Sequence, residues 1–269
     1  YVRLAFPLPL DLPIGYYDVK VWVQGGPAPV ELQFRLIVAP ARCYVPESFH
    51  AGRRTWGLAL QLYSLRSEHN WGIGDFGDLS RLLEWAGREL GAGVIGLNPL
   101  HALKNTRPYH ISPYSPSSRL YLNELYIDID RVAEAKTTPD VQNCLADPAF
   151  RAQLTKARTS EYVDYEAVAA LKRTVLDLCY RTFLRDNFEG VEPDLKPTTA
   201  RGQLFHSYVQ QEGAPLAEYA LFQALEEERL FAQSRSVVWA DWPEAYRVPT
   251  SDAVAEFQRR HMKRVRFFE

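Results

Sequence analysis

Hydrophobic and polar positions along the chain fall into three regimes. In the first, YYDVKVWVQ (16–24) and ELQFRLIVA (31–39) place β-branched or aromatic residues at every second position. A period of two puts such residues on one face of a pleated strand, so the pair predicts a hairpin, with GGPAP (25–29) as its link. PARCYVPE (40–47) follows, with a proline near each end, and predicts a linker.

In the second regime the apolar residues run together. TWGLALQLYSL (55–65) and GVIGLNPL (93–100) are continuous enough to predict strands buried on both faces. Between them Phe76, Leu79, Leu83, Ala86 and Leu90 recur at helical spacing, predicting a helix from Asp75 to about Leu90. Asp75 suits the N-cap and Gly91 the C-terminal stop. Strand, helix, strand within this span is a βαβ unit, which implies a parallel sheet and an α/β fold. Ligands of such sheets bind at the carboxyl ends of the strands. Two loops hang there, 66–74 and 99–120, and the second holds RPYHISPYSPSSR (107–119).

The third regime is helical. Residues 164–188 carry Val168, Leu171, Val175 and Leu178 on one stripe; 214–233 predict a second helix and 251–268 a third. In the last, Ser251 is the expected cap, with Val254, Phe257, His261, Val265 and Phe268 facing inward.

Composition narrows the function classes. Net charge is −2, which offers no footprint for a nucleic-acid partner. No run reaches the ~18 apolar residues of a membrane span, and no signal peptide is visible. Cys43, Cys144 and Cys179 are odd in number and widely spaced, as reduced thiols of a cytoplasmic protein would be. The chain opens without Met, and both ends read as cut from a longer one.

Most candidate chemistry has a plainer explanation. Glu68 and Asp75 flank the first loop, yet a solvated charge and a helix cap account for them. His69, His101 and His110 show no zinc-ligand spacing. No nucleophile elbow occurs, and GIGDFGD lacks the spacing of a phosphate cradle. Recognition remains. Tyr109, Tyr114, Ser112, His110, Trp71 and Asn70 have the composition of a sugar site: aromatic platforms for CH faces, short polar groups for hydroxyls. Pro108, Pro113 and Pro116 would lower the ordering cost of binding. A proline-stiffened loop packing its tyrosines on the protein's own helices would need the same residues.

Two motifs decide between classes. LYSLRSEHNWGIGDFGDL (62–79) and SPYSPSSRLYLNELYIDID (112–130) resemble 4-α-glucanotransferases, the amylomaltases or disproportionating enzymes of the α-amylase superfamily. IVAPARCYVP (37–46) is similar to the end of the N-terminal β domain in longer bacterial members, and WADWPEAYRVPTSDAVAEF (239–257) to a segment before the main catalytic part. The resemblance implies a (β/α)8 TIM barrel with helical insertions. It implies transfer of α-1,4-glucan segments between maltodextrins by a retaining double displacement, with no metal or organic cofactor. By its motifs Ser112, Pro113 and Tyr114 would line the donor side, with Tyr109 and His110 nearby; Asn70, Trp71 and Asp75 belong to the first-strand loop, and Asn123 would pin the chain structurally.

The family's catalytic carboxylates sit in R-x-D-H, E-D-L-G and H-D motifs, and none occurs in residues 1–269. The expectation is therefore an N-terminal fragment with its catalytic carboxylates beyond Glu269 and no activity alone. Residues 1–46 would end a small β domain, 47–130 would form the first βα units, 131–250 a helical insertion, and 251–269 would start a barrel-associated helix. An exposed parallel edge would favour self-association. The alternative is a non-catalytic glucan-binding module or a purely structural one.

Overall fold

The computed structural model describes residues 5, 7–9, 11–23, 30–50, 52, 54–105, 111–191, 194–233 and 239–269. They form two compact units, 1–55 and 56–269.

In the first unit, β1 (Gly15–Val23) and β2 (Val30–Val38) pair antiparallel, with Gly15 opposite Val38 and Val23 opposite Val30. The register puts Tyr17, Val19, Val21, Val23, Val30, Leu32, Phe34 and Leu36 on one face, as the alternation predicts. The other face carries the Asp18–Arg35 ion pair at 3.1 Å. The GGPAP link lies outside the described residues. A short helix, α1 (Glu47–His50), follows.

The second unit opens with the βαβ unit. β3 (Gly57–Leu60) pairs parallel with β4 (Val94–Leu97), Gly57 opposite Val94 and Leu60 opposite Leu97. The strands approach so closely at their start that a Cβ on Gly57 would stand 1.9 Å from the Val94 carbonyl oxygen. α2 (Phe76–Arg88) crosses between them. Asp75 Oδ1 accepts from the Asp78 amide at 3.0 Å while Asp78 Oδ2 accepts from the Asp75 amide at 3.2 Å, a reciprocal cap that satisfies two otherwise orphaned donors. At the other end Gly91 adopts φ +67°, and the Ala92 amide returns to the Ala86 carbonyl.

Three expectations need correction here. The strand predicted over 55–65 stops at Leu60: the side chain of Asn98 takes the Leu62 amide at 2.8 Å, and the chain turns into a 3-10 turn over Leu62–Ser64. Nor are β3 and β4 buried on both faces, since exposed and half-buried residues alternate along each. The predicted stripe of α2 is covered at Ala86 but open at Leu83 and Leu90.

After β4, β5 (His101–Ala102) pairs antiparallel with β6 (Ser118–Leu122). The chain then becomes helical: α3 (Ala133–Thr137), α4 (Pro139–Ala146), α5 (Pro148–Thr159) and α6 (Tyr165–Asn187). A two-residue ribbon, β7 (Phe188–Glu189) with β8 (Lys196–Pro197), precedes α7 (Ala200–Gln233). α7 begins well before the predicted Ala214 and breaks at Gly213, whose φ of 58° and ψ of −136° no helix contains. The last predicted helix is also two, α8 (Asp252–Arg260) and α9 (Met262–Phe268). Between them His261 leaves helical values as its ring stacks on Phe257 at 4.3 Å.

Burial explains the arrangement. One apolar core joins Leu62, Trp71, Ile73, Leu125, Tyr126 and Ile129 to the predicted stripe of α6, Val168, Leu171 and Val175. A second joins Leu221 and Leu225 of α7 to Trp242, Val254, Phe257 and Val265. An ion network ties the helices together. Glu227 accepts from Arg173 at 2.8 Å and from Arg264 at 2.6 Å; Arg173 also reaches Glu124, and Arg264 reaches Asp177. Burial alone would push Glu227 upward, but Arg264 and Arg173 outweigh it and hold its carboxyl below the usual range. No helix among the described residues is long and apolar enough to cross a membrane.

Candidate glucan-contacting site

The carboxyl ends of β3 and β4 lead into the two loops that sequence singled out. Their behaviour differs.

The loop after β4 builds a presented turn. Pro113 occupies the second position of a turn closed by the Ser115 amide on the Ser112 carbonyl at 3.1 Å, where a fixed φ near −65° fits. Downstream, the Ser117 amide bonds the Ala102 carbonyl at 2.9 Å and leads into β6. Pro113 is half-buried in a narrow crevice with Tyr63, His101, Ile111, Tyr126 and Tyr165, while Ser112 is exposed and Tyr114 stands 73% exposed. An apolar ring so placed, on a turn anchored from below, costs little further ordering when it meets a ligand. Tyr109 and His110 lie outside the described residues.

The footing under this turn is polar but satisfied. Asn123 donates to Asn105 Oδ1 at 2.6 Å, accepts from the Leu125 amide at 2.9 Å, and donates its own amide to Leu100. Asn105 takes φ +56°, a left-handed conformation that asparagine tolerates better than most residues. Asn123 thus pins the chain, as expected of it. Tyr63 and Tyr165 meet edge-on at 6.4 Å, and burial pushes the Tyr165 phenol up to about 12, so it remains a protonated packing group.

The loop after β3 is interior. Asn70, Trp71 and Asp75 are exposed by only 1%, 3% and 2%. Asn70 donates to Asp78 Oδ2 at 2.7 Å and to the Leu65 carbonyl at 3.2 Å, and accepts from the Gly72 amide at 3.2 Å. Trp71 packs edge-on against Phe150 at 5.8 Å. Arg158 of α5 donates to the Asn70 carbonyl at 2.8 Å and the His69 carbonyl at 3.3 Å. The structure thus places all three inside this part of the chain, with Asn70 and Asp75 hydrogen-bonded internally and Trp71 covered by Phe150. They frame the carboxyl end of β3.

Glu68 of this loop is exposed, whereas the two carboxylates that cap α2 are committed. Burial raises Asp75. Asp78 would also be raised by burial, but bonds from Ser67, Asn70 and Arg81 hold it low. Behind them lies a residue that sequence reasoning passed over, Lys172 of α6. It is 1% exposed, and its Nζ donates to the Leu125 and Ile127 carbonyls, each at 2.7 Å. Burial depresses it to about 8, opposed by the charges of Asp75 and Asp128. Its position on a helical stripe, next to Leu171, hid it. Among the described residues no group of three or more His, Cys, Asp or Glu is placed to hold a metal ion.

The class that emerges is an α/β protein with a parallel βαβ unit and an aromatic turn beyond the carboxyl ends of its strands. Comparison with known proteins is more specific. The family model described as 4-alpha-glucanotransferase, glycoside hydrolase family 77, matches residues 60–269. A 4-alpha-glucanotransferase of Haemophilus influenzae is 34% identical over 260 residues, covering 96% of this chain and 35% of that protein. One of Mycobacterium tuberculosis is 32% identical over 278 residues, covering 98% and 34%. The crystal structure of amylomaltase from Corynebacterium glutamicum superposes with a TM-score of 0.64 at 27% identity, covering 97% of this chain and 32% of that one. The chain belongs to the 4-alpha-glucanotransferase family, and it spans about a third of the length of the curated relatives it matches.

Proposed function

We propose that the chain supplies one wall of the glucan site of a 4-α-glucanotransferase, an enzyme that moves α-1,4-glucan segments between maltodextrins. In this reading 47–130 are the first βα units of a (β/α)8 barrel, preceded by the end of a β domain, and 131–250 are a helical insertion. Ser112, Pro113 and Tyr114 form the wall, and the family resemblance adds Tyr109 and His110 as further glucan contacts. The observation that carries the reading is the exposure of Tyr114 on a proline-fixed turn beyond the carboxyl ends of a parallel pair, in a chain of this family.

Retaining transfer requires a carboxylate nucleophile and a carboxyl acid/base about 5 Å apart, and aromatic subsites that favour a sugar acceptor over water. Asp75 and Asp78 cannot serve, being bound into a helix cap. The chain by itself is therefore read as a glucan-holding part without turnover and without need of a cofactor. Incubated with maltotriose, it should release no glucose and build no longer maltodextrins; clear disproportionation would overturn that part. Tyr114→Ala should weaken maltoheptaose binding about tenfold with an unchanged melting curve, since an exposed ring contributes little to the core. Unchanged affinity would remove Tyr114 from the wall.

A further inference from the structure

A second concave surface begins where the Tyr114 loop ends. Ser117, three residues beyond Tyr114, borders a cavity of about 550 Å³ that runs between the second half of α7, the 239–250 segment and α8. This volume lies within the ~300–1,000 Å³ of small-molecule sites. Its floor is built and held. Phe222 and Trp242 stack at 5.4 Å and 21°, and Trp242 is 2% exposed. Arg247 donates to the Trp242 carbonyl at 2.5 Å, and the Arg229 guanidinium covers the Tyr246 ring at 4.0 Å. Trp239 differs from these rings: it stands on the lining yet is 53% exposed. Glu218, Arg247 and Gln258 bring a carboxylate, a guanidinium and an amide to the same lining.

We propose that this cavity is a separate subsite for an α-1,4-linked maltooligosaccharide, with Trp239 as its stacking platform. A pyranose presents an apolar CH face and a rim of neighbouring hydroxyls. Trp239 meets the first; carboxylate, guanidinium and amide groups donate to and accept from the second. A purely apolar partner would desolvate the Glu218 carboxylate and the Gln258 amide without offering them a hydrogen bond, which disfavours it. The choice of ligand rests on the function proposed above, whereas the cavity's geometry does not.

Calorimetric titration of the 269-residue chain with maltoheptaose tests the subsite. Trp239→Ala should weaken binding about tenfold, Glu218→Gln should weaken it less, and Trp239→Ala combined with Tyr114→Ala should abolish measurable heat. Circular dichroism melting should match wild type for all of them, because Trp239 is half exposed. Wild-type affinity in Trp239→Ala overturns the subsite, even where Tyr114→Ala weakens binding and so upholds the wall. The converse, loss only in Trp239→Ala, upholds the subsite and overturns the wall. A wild-type chain that takes up no maltoheptaose at millimolar concentration overturns the subsite, while the maltotriose assay judges the turnover reading separately.

Discussion

Lys172→Met isolates the energetics of a buried cation. The lysine is 1% exposed and bonded to two main-chain carbonyls, with burial holding it at about 8 against an ordinary 10.5. Because the folded value lies below the unfolded one, the unfolded chain binds more protons between those limits, and wild-type stability gains from Lys172 as pH rises through that window. With a folded value of about 8, the gain between about pH 7 and pH 10 is about 2–3 kcal/mol. At pH 7 the methionine variant loses the carbonyl bonds but also sheds a costly buried charge, so its net loss should be about 1–2 kcal/mol. At pH 10 the loss should grow by about 2–3 kcal/mol. Buried tyrosines and cysteines titrate in the same range with the opposite sign, but they are common to both proteins and cancel in the difference. Urea denaturation of both proteins at the two pH values measures it. A stability difference that does not change with pH would refute the reasoning.

Other expectations follow from single contacts. Gly72→Ala should cost more than about 2 kcal/mol by the same assay, since Gly72 holds φ +94° and a Cβ would stand 2.4 Å from the Ala157 carbonyl oxygen; a smaller loss would mean the loop yields easily. Glu227→Gln should flatten the acid limb: Glu227 is held low, so it stabilises the fold above its unfolded value and that contribution disappears as pH falls. The gap in melting temperature between the two proteins should narrow from about pH 7 to about pH 4, and a constant gap would refute the network's role. Sedimentation should show concentration-dependent association, driven by Trp56, Val94, Leu120 and Leu122, which are exposed by 47%, 54%, 75% and 60%; a monodisperse monomer across the micromolar range would count against it.

What sequence could show depended on how local each cause is. The cap of α2 was legible because Asp75 and Asp78 satisfy each other within four residues. The parallel pairing of β3 and β4 was legible from two apolar runs flanking a helix. Asn70 and Trp71 were not legible as interior residues: an amide and an indole suit a sugar or a core, and the deciding partners, Phe150 and Arg158, lie some eighty residues away. The break in α7 turns on one positive φ at Gly213 within an otherwise helical run. Tyr114 was picked from motif and composition alone, and its exposure is what keeps it in the proposed wall.

The bond from Arg158 to the Asn70 carbonyl spans 88 positions of sequence. During synthesis, therefore, the loop that follows β3 cannot settle when that strand emerges. It must wait for α5, whose Arg158 bonds the Asn70 and His69 carbonyls. Such distant contacts slow folding because loop closure precedes any reward. The helices after residue 131 thus act as a mould delivered late: a chain shortened before α5 would leave the entrance of its own sheet without form.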